Sequence, residues 1–124
     1  MSKRILIVED QEDLRTILRD FLRASGYETV EAVDGGEGVA QAQSARPDLI
    51  LMDIQLPVFD GYEATRQIKA DPSLKTTPVI AVSSFAMKGD EEKARASGCD
   101  GYVTKPYSPV KLLGVIRGLL KDAG

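Results

Sequence analysis

The segment Asp48-Leu-Ile-Leu-Met-Asp53 carries four apolar residues in an unbroken run between two carboxylates. A half-exposed strand would alternate polar and apolar residues, so this run predicts a strand buried on both faces of a sheet. A strand that ends in Asp places a charge at the lip of the sheet, where a ligand crevice can begin. The rest of the chain decides which side chains share that lip with Asp53.

Four other segments have strand character: residues 4–8, 28–33, 78–82 and 100–104. Helical segments alternate with them. The first helix is marked by apolar residues at i, i+3, i+4, i+7 and i+8, namely Leu14, Ile17, Leu18, Phe21 and Leu22. It is predicted to end near Ser25. Capping pairs open the second and third helices, at Asp34 with Glu37 and at Asp60 with Glu63. The remaining helices are predicted at residues 87–97 and 109–121.

This alternation of five strands with five helices predicts a doubly wound parallel α/β domain with helices on both faces of the sheet. The fourth predicted helix is unusual, because its charged residues outnumber its one sizeable apolar residue, Met87. A helix that buries so little is expected to be loosely held.

The composition of the chain limits the classes of function that it can have. With 124 residues, 43% of them hydrophobic and 28% charged, the chain is expected to be one globular domain over residues 1–124. A net charge of −3 without a basic run disfavours direct nucleic-acid binding. Short apolar runs and the absence of a signal-peptide pattern predict no membrane segment. The single cysteine, Cys99, is interpreted as a core residue and fits a cytoplasmic location.

Four of the predicted strands end in a polar residue, namely Asp10, Asp53, Ser83 and Lys105. These ends share one edge of a parallel sheet. If the first and third strands are neighbours, Glu9, Asp10 and Asp53 crowd together and repel one another unless a cation joins them. An all-oxygen site of this kind suits Mg²⁺. The chain has no histidine, which excludes histidine-based metal sites and a Ser-His-Asp triad.

Asp53, the central carboxylate, is the candidate nucleophile for aspartyl-phosphate chemistry. The amine of Lys105 and the hydroxyl of Ser83 would complete a cradle for a tetrahedral anion. Each residue alone has an ordinary interpretation, as a helix cap, a surface lysine or a turn serine. Their coincidence at strand ends favours a phosphoryl-accepting site.

These residues make the chain resemble response regulator receiver domains over essentially its whole length. The matching segments are Ile5–Asp10, Asp48–Asp53 with Pro57, Asp60 and Gly61, Ser83, and Tyr102–Pro106. Residues 85–93 and 98–102 resemble more particularly the single-domain cell-division regulators and the receivers of hybrid histidine kinases. The resemblance implies a flavodoxin-like (βα)5 three-layer sandwich with strand order 2-1-3-4-5.

The resemblance also implies a role for each site residue. Asp53 would accept a phosphoryl group from a phosphohistidine on a histidine kinase or a histidine phosphotransfer protein. Mg²⁺ would be bound by Asp10, Asp53 and the Gln55 carbonyl, with Glu9 acting directly or through water. Lys105 and Ser83 would contact the phosphoryl oxygens. Lys105 would precede Pro106 through a cis peptide bond.

A protein with these features would act as a switch and have no separate substrate. Ser83 and Tyr102 would transmit phosphorylation to the face formed by helix four, strand five and helix five, where a downstream protein binds. The chain would be a monomer or a weak dimer. Ser83, Ser84 and Phe59 stand where Thr, Ala and Met are commoner. Gln55 and Ser84 flank the acylphosphate and are expected to tune its hydrolysis, in a direction left open.

Three alternatives differ from this interpretation. A phosphate sink would accept the phosphoryl group without an output. A small aspartyl-phosphate phosphatase of the best-known class would need a second Asp where Gln55 stands. A flavin carrier would need a phosphate-cradling loop after the first strand, where Glu9 and Asp10 would repel the cofactor phosphate.

Overall fold

The computed structural model describes residues 2–57, 60–84 and 89–121. Within these ranges, five strands alternate with five α-helices. The strands β1 to β5 span Arg4–Val8, Glu28–Ala32, Leu49–Asp53, Val79–Ser83 and Gly101–Thr104. The helices α1 to α5 span Glu12–Ala24, Gly35–Ala45, Gly61–Ala70, Asp90–Ala96 and Pro109–Leu120.

The strands form one parallel sheet in the order β2-β1-β3-β4-β5, which confirms the predicted fold class and strand order. Val8 of β1 is level with Met52 of β3, so the next residue of each strand, Glu9 and Asp53, reaches the same edge. Ser83 pairs with Thr104, and Lys105 follows. The register therefore brings the strand ends together.

Two apolar layers sandwich the sheet, because successive strand residues point to opposite faces. On one face Ile5, Ile7 and Leu51 pack beneath α1 and α5; on the other, Leu6 and Met52 pack beneath α2 and α3. Every residue of β3 is buried, as the unbroken apolar run predicts. This two-sided burial holds the Asp53 backbone rigidly at the sheet edge.

The predicted caps are present. The Asp34 side chain accepts a hydrogen bond from the Glu37 amide at 2.7 Å, and Asp60 accepts one from the Glu63 amide at 3.0 Å. The second cap sets where α3 begins, a few residues after Asp53. It therefore helps to position the loop that carries Gln55.

Three features differ from the sequence-based expectations. Ile17, placed in the apolar stripe of α1, is 60% exposed, because Leu18 and Leu22 turn directly toward the sheet and Ile17 lies at the rim of the stripe. A 3-10 helix at Pro72–Leu74 follows α3 and buries Leu74. In the described residues α4 begins at Asp90, and Met87, like Phe59, lies outside them.

Helix α4 is short and polar, and its one buried residue is Ala94. Among the described helices, none combines the length and the apolar character that a membrane span requires.

The core also contains Cys99, which is 5% exposed, and burial raises the pKa of its thiol. The interpretation of Cys99 as a core residue is confirmed.

Candidate functional site

Three carboxylates meet at the carboxyl edge of the sheet. Glu9 and Asp53 are only 3% and 4% exposed, whereas Asp10 is exposed to solvent. One oxygen of each of these three side chains lies within 4.8 Å of the others. Burial of two carboxylates is costly unless nearby positive charge and hydrogen bonds compensate for it.

Lys105 supplies positive charge from the opposite side of the site. Its Nζ lies 3.0 Å from Glu9 Oε1 and 3.2 Å from Asp53 Oδ2. Burial disfavours the charged ammonium, but the hydrogen bond to Glu9 and the attraction of Asp53 outweigh it and raise the pKa of Lys105. The lysine therefore remains a cation at neutral pH. Its peptide bond to Pro106 is cis, as the resemblance implies.

The effect of the crowded carboxylates is seen in the raised pKa of Asp10. Partial burial, a hydrogen bond shared with Glu9 and repulsion by the Glu9 carboxylate together raise the pKa of Asp10. This shift means that another negative charge is disfavoured at this position. A cation bound between the carboxylates would relieve the repulsion.

Gln55 connects the ends of β3 and β4. Its backbone amide donates to Asp53 Oδ1 at 3.0 Å, and its side-chain Oε1 accepts a hydrogen bond from the Ser84 amide at 3.1 Å. The side-chain Nε2 lies 3.5 Å from Ser83 Oγ, a long contact. Ser83 itself is 1% exposed. The two predicted tuning residues thus contact each other directly beside Asp53.

Gly61, the first residue of α3, packs against the backbone of Asp53. A Cβ atom built at this glycine would lie far inside contact distance of the Asp53 carbonyl oxygen and close to the Cα of Ile54. The Gly61 amide donates to the Ile54 carbonyl at 3.0 Å. Only glycine permits this approach of α3 to the end of β3.

The structure also reveals site residues that the sequence analysis missed. The guanidinium of Arg15, on α1, donates to the backbone carbonyl of Glu9 at 2.9 Å. The Gln11 amide donates to Glu9 Oε2 at 3.1 Å. Arg15 lies at the border of the apolar stripe of α1, beside Leu18 and Leu22. A charged residue at the border of a buried stripe is the one signal that could have identified it.

The donor set fits a hard divalent cation. Glu9, Asp10 and Asp53 present oxygen atoms, the ligand type that Mg²⁺ prefers, and the exposed side of Asp10 leaves room for the waters that Mg²⁺ retains. Within residues 2–57, 60–84 and 89–121, no other three carboxylate or thiol side chains bring their ligand atoms as close together. These residues could therefore hold Mg²⁺.

Tyr102 lies on β5, three residues before Lys105, and is half-buried against the apolar layer beneath α2 and α3. Its register partner is Ala81 of β4, two residues before Ser83. The predicted switch residues therefore lie on adjacent strands, two positions apart in register.

An open apolar groove borders the site on the side of α1. It is lined by Leu14, Ile17, Ser84, Lys105, Pro106, Tyr107 and Pro109. The exposed Ile17 forms part of its wall. The groove reaches the site because Lys105 and Ser84 belong to both.

Comparison with known proteins places this geometry in context. The sequence profile of the response regulator receiver domain matches residues 5–117. The polar-differentiation response regulator DivK of Brucella anthropi is 49% identical over 123 residues, which cover 99% of this chain and 100% of DivK.

Two solved structures are also similar. The receiver domain of the sensor histidine kinase PA1611 from Pseudomonas aeruginosa has a TM-score of 0.90 at 36% identity, with 98% of this chain and 99% of that chain covered; it contains a magnesium ion coordinated in its active site cleft. The chemotaxis response regulator CheY4 of Vibrio cholerae has a TM-score of 0.91 at 29% identity, with 96% and 99% covered.

Proposed function

Because this chain belongs to the response regulator receiver family of two-component signalling, we propose that Asp53 is the residue on which it accepts a phosphoryl group. The observation that carries the assignment is that Asp53 lies within 4.8 Å of the other two carboxylates and 3.2 Å from Lys105 Nζ. An Asp53 oxygen attacks the phosphorus of a phosphohistidine. The new P–O bond forms as the P–N bond breaks, and the imidazole leaves with the electron pair and takes up a proton.

The other site residues prepare this step. Lys105 holds positive charge beside Asp53 Oδ2, where it can pair with a phosphoryl oxygen. The buried Ser83 hydroxyl, at the end of the adjacent strand, contacts another. Asp10, Asp53 and the Gln55 carbonyl would hold Mg²⁺, with Glu9 binding directly or through water. When bound there, Mg²⁺ would supply positive charge beside the phosphoryl oxygens.

Phosphorylation by a small-molecule donor tests the assignment. Incubation with acetyl phosphate and Mg²⁺ should add one phosphoryl group to the wild-type chain, detected by intact mass. Asp53→Asn should remain unlabelled because an amide is a poor nucleophile, and Asp10→Ala should lose Mg²⁺ binding and labelling together. Stoichiometric labelling of the Asn variant would show that another residue is the acceptor.

The phosphoryl donor is proposed to be a histidine kinase or a histidine phosphotransfer protein that docks in the apolar groove. Continuity between the groove and Lys105 supports this placement, because a partner seated there would bring its phosphohistidine to Asp53. Ile17→Glu should slow phosphotransfer from the protein donor at least tenfold and leave acetyl phosphate labelling unchanged. Equal slowing with both donors would rule out a docking role for Ile17.

The output is proposed to be a protein contact on the face formed by α4, β5 and α5. The short polar α4 and the half-buried Tyr102 support this choice, because a small energetic bias can move a weakly packed element. In this mechanism Ser83 moves toward the phosphoryl group and Tyr102 turns inward. A phosphate sink would instead show phosphorylation without a change on this face.

The same proposal includes the extent of the domain, its oligomeric state and its location. Residues 1–124 act as one receiver domain, without direct binding to nucleic acid or membrane, as a monomer or weak dimer in the cytoplasm. The domain assists its own phosphorylation and dephosphorylation and has no separate substrate. Gln55 in place of a second Asp argues against the phosphatase alternative. A colourless purified protein would exclude the flavin carrier.

A further inference from the structure

We propose that Arg15 is a positioning residue for the cation site, acting on the peptide that joins Glu9 to Asp10. The inference rests on the proposed function of that site and adds a residue on α1 that is not a ligand. Its basis is a hydrogen bond of 2.9 Å from Arg15 Nη1 to the carbonyl oxygen of Glu9.

Arg15 is itself held in place. Its Nε donates to Glu31 Oε1 on β2 at 3.0 Å, and its side chain is only 15% exposed. Because the two contacts use different nitrogens of one planar guanidinium, the orientation of the group is fixed by a carboxylate on a neighbouring strand. Arg15 is therefore a brace between β2 and the end of β1.

The braced peptide links two members of the carboxylate cluster. Its carbonyl belongs to Glu9 and its nitrogen to Asp10, so its orientation sets the direction in which the Asp10 side chain leaves the backbone. The peptide that precedes Glu9 is also held, because the Glu9 amide donates to the Ala32 carbonyl at 3.0 Å. Without Arg15, the Glu9 carbonyl would lose this hydrogen bond, and the peptide that leads into Asp10 would be less firmly oriented.

Electrostatics and positioning make opposite predictions for the loss of Arg15. Removal of a positive charge near three carboxylates should strengthen cation binding by Coulomb attraction alone. Loss of the brace should weaken it, because groups that orient metal ligands typically contribute tenfold or more to affinity. The sign of the change therefore separates the two effects.

The test is a titration of the full chain with Mg²⁺, followed by amide chemical shifts near Asp10 and Asp53. We expect Arg15→Met, which keeps the length of the side chain but cannot donate, to bind Mg²⁺ about tenfold more weakly than wild type. Arg19→Met is the matched control. Arg19 pairs with the other oxygen of Glu31, at 3.8 Å, and no contact between it and Glu9 is present among the described residues. Arg19→Met should therefore bind Mg²⁺ as tightly as wild type or slightly more tightly.

A parallel titration with Ca²⁺ distinguishes positioning from general damage to the fold. Mg²⁺ demands near-ideal octahedral geometry, whereas Ca²⁺ accepts longer and less regular contacts. Arg15→Met should therefore lose more affinity for Mg²⁺ than for Ca²⁺. An equal loss for both ions, accompanied by a lower thermal midpoint, would indicate a merely structural role and overturn the proposal.

The controls separate this inference from the proposed function. If wild type binds Mg²⁺ and Asp10→Ala does not, the site is as proposed; Arg15→Met with wild-type or tighter affinity then defeats the positioning role alone. If wild type shows no saturable binding, the proposed function and this inference both fail. Should Arg15→Met not fold, Arg15→Gln, which is neutral and too short to reach both partners, carries the same expectations.

Discussion

At the scale of single residues, the site is a balance of charges around Asp53. One Asp53 oxygen accepts from the Gln55 amide and the other from Lys105. Glu9 shares the same lysine. Each buried carboxylate thus has a donor, and in the described part of the chain no buried side-chain oxygen or nitrogen lacks a hydrogen-bond partner. Because both buried carboxylates contact the same ammonium group, the site depends on Lys105.

Replacement of Lys105 by Met should expose this dependence. The variant leaves Glu9 and Asp53 buried beside each other without a cation. The free energy of unfolding should fall by about 3 kcal/mol, at the lower end for a broken buried ion pair because Lys105 is itself partly exposed. Saturating Mg²⁺ should restore part of the loss, since a ligand that binds the folded state stabilises it. Urea unfolding with and without Mg²⁺ measures both effects, and a variant as stable as wild type would contradict the charge balance described above.

Gly61→Ala tests the close approach of α3 to the acceptor strand. The new methyl group would overlap the Asp53 carbonyl oxygen, so the backbone must shift. We expect a loss of about 1–3 kcal/mol of stability together with slower acetyl phosphate labelling. Gly114→Ala is the control, because a Cβ at Gly114 has nothing within 4 Å and an alanine in that exposed helix position should stabilise the chain. Normal labelling of the Gly61 variant would show that the approach is not needed for function.

At the scale of elements, α4 is the least anchored of the described helices. It spans seven residues, has no side-chain cap hydrogen bond and buries only Ala94. Lys93 provides a further attachment, because its Nζ lies 5.3 Å from the centre of the Tyr62 ring on α3. This cation–π contact joins the proposed output helix to the element that begins beside Asp53.

Lys93→Ala should loosen α4 without unfolding the domain. A cation–π contact at a partly exposed position contributes about 0.5–1 kcal/mol, so amide exchange in α4 should quicken about two- to fivefold. Lys93→Arg retains a cation over the ring and should exchange as wild type does. Hydrogen exchange followed by NMR measures the change. Equal protection of α4 in the Ala variant would mean that the contact does not hold the helix.

At the scale of the whole molecule, neighbouring strands of the sheet connect the proposed acceptor, Asp53, with the proposed output face. Asp53 pairs with Val82, and Ser83 follows on the same strand, next to β5 with Tyr102. In the proposed switch, a movement of Ser83 toward a phosphoryl group would change the packing on the strand next to β5, which carries Tyr102. The proposed path from Asp53 to Tyr102 is short because β3, β4 and β5 lie side by side in the sheet.

Beryllofluoride, an acylphosphate mimic, should shift amide signals both around Asp53 and in α4, β5 and α5. In Tyr102→Ala the changes should be confined to the loops around Asp53, because no ring is available to fill the space beside β4. Tyr102→Phe keeps the ring and should respond as wild type does. The NMR comparison would defeat the proposed switch if α4 and α5 of the wild type stayed silent, and would then favour a phosphate sink.

The sequence by itself predicted the five strands, the five α-helices and the carboxylates and lysine that meet at the sheet edge. Unbroken apolar runs ending in Asp10 and Asp53 predicted doubly buried strands, and the pairs Asp34–Glu37 and Asp60–Glu63 predicted helix starts, because both signals depend only on neighbours a few residues apart. The strand order came from family resemblance rather than from spacing, and the structure confirms it.

Only the tertiary structure decided which distant side chains support those residues. The contact of Arg15 with Glu9 depends on how α1 packs against β1 and β2, and the need for glycine at position 61 depends on how close α3 comes to β3. The exposure of Ile17 likewise depends on how α1 is rotated about its axis on the sheet. The apolar stripe does not define that rotation closely enough to show whether a residue at its border is buried. Spacing along a chain fixes periodicity, whereas contacts between elements depend on packing angles and distances that periodicity does not contain.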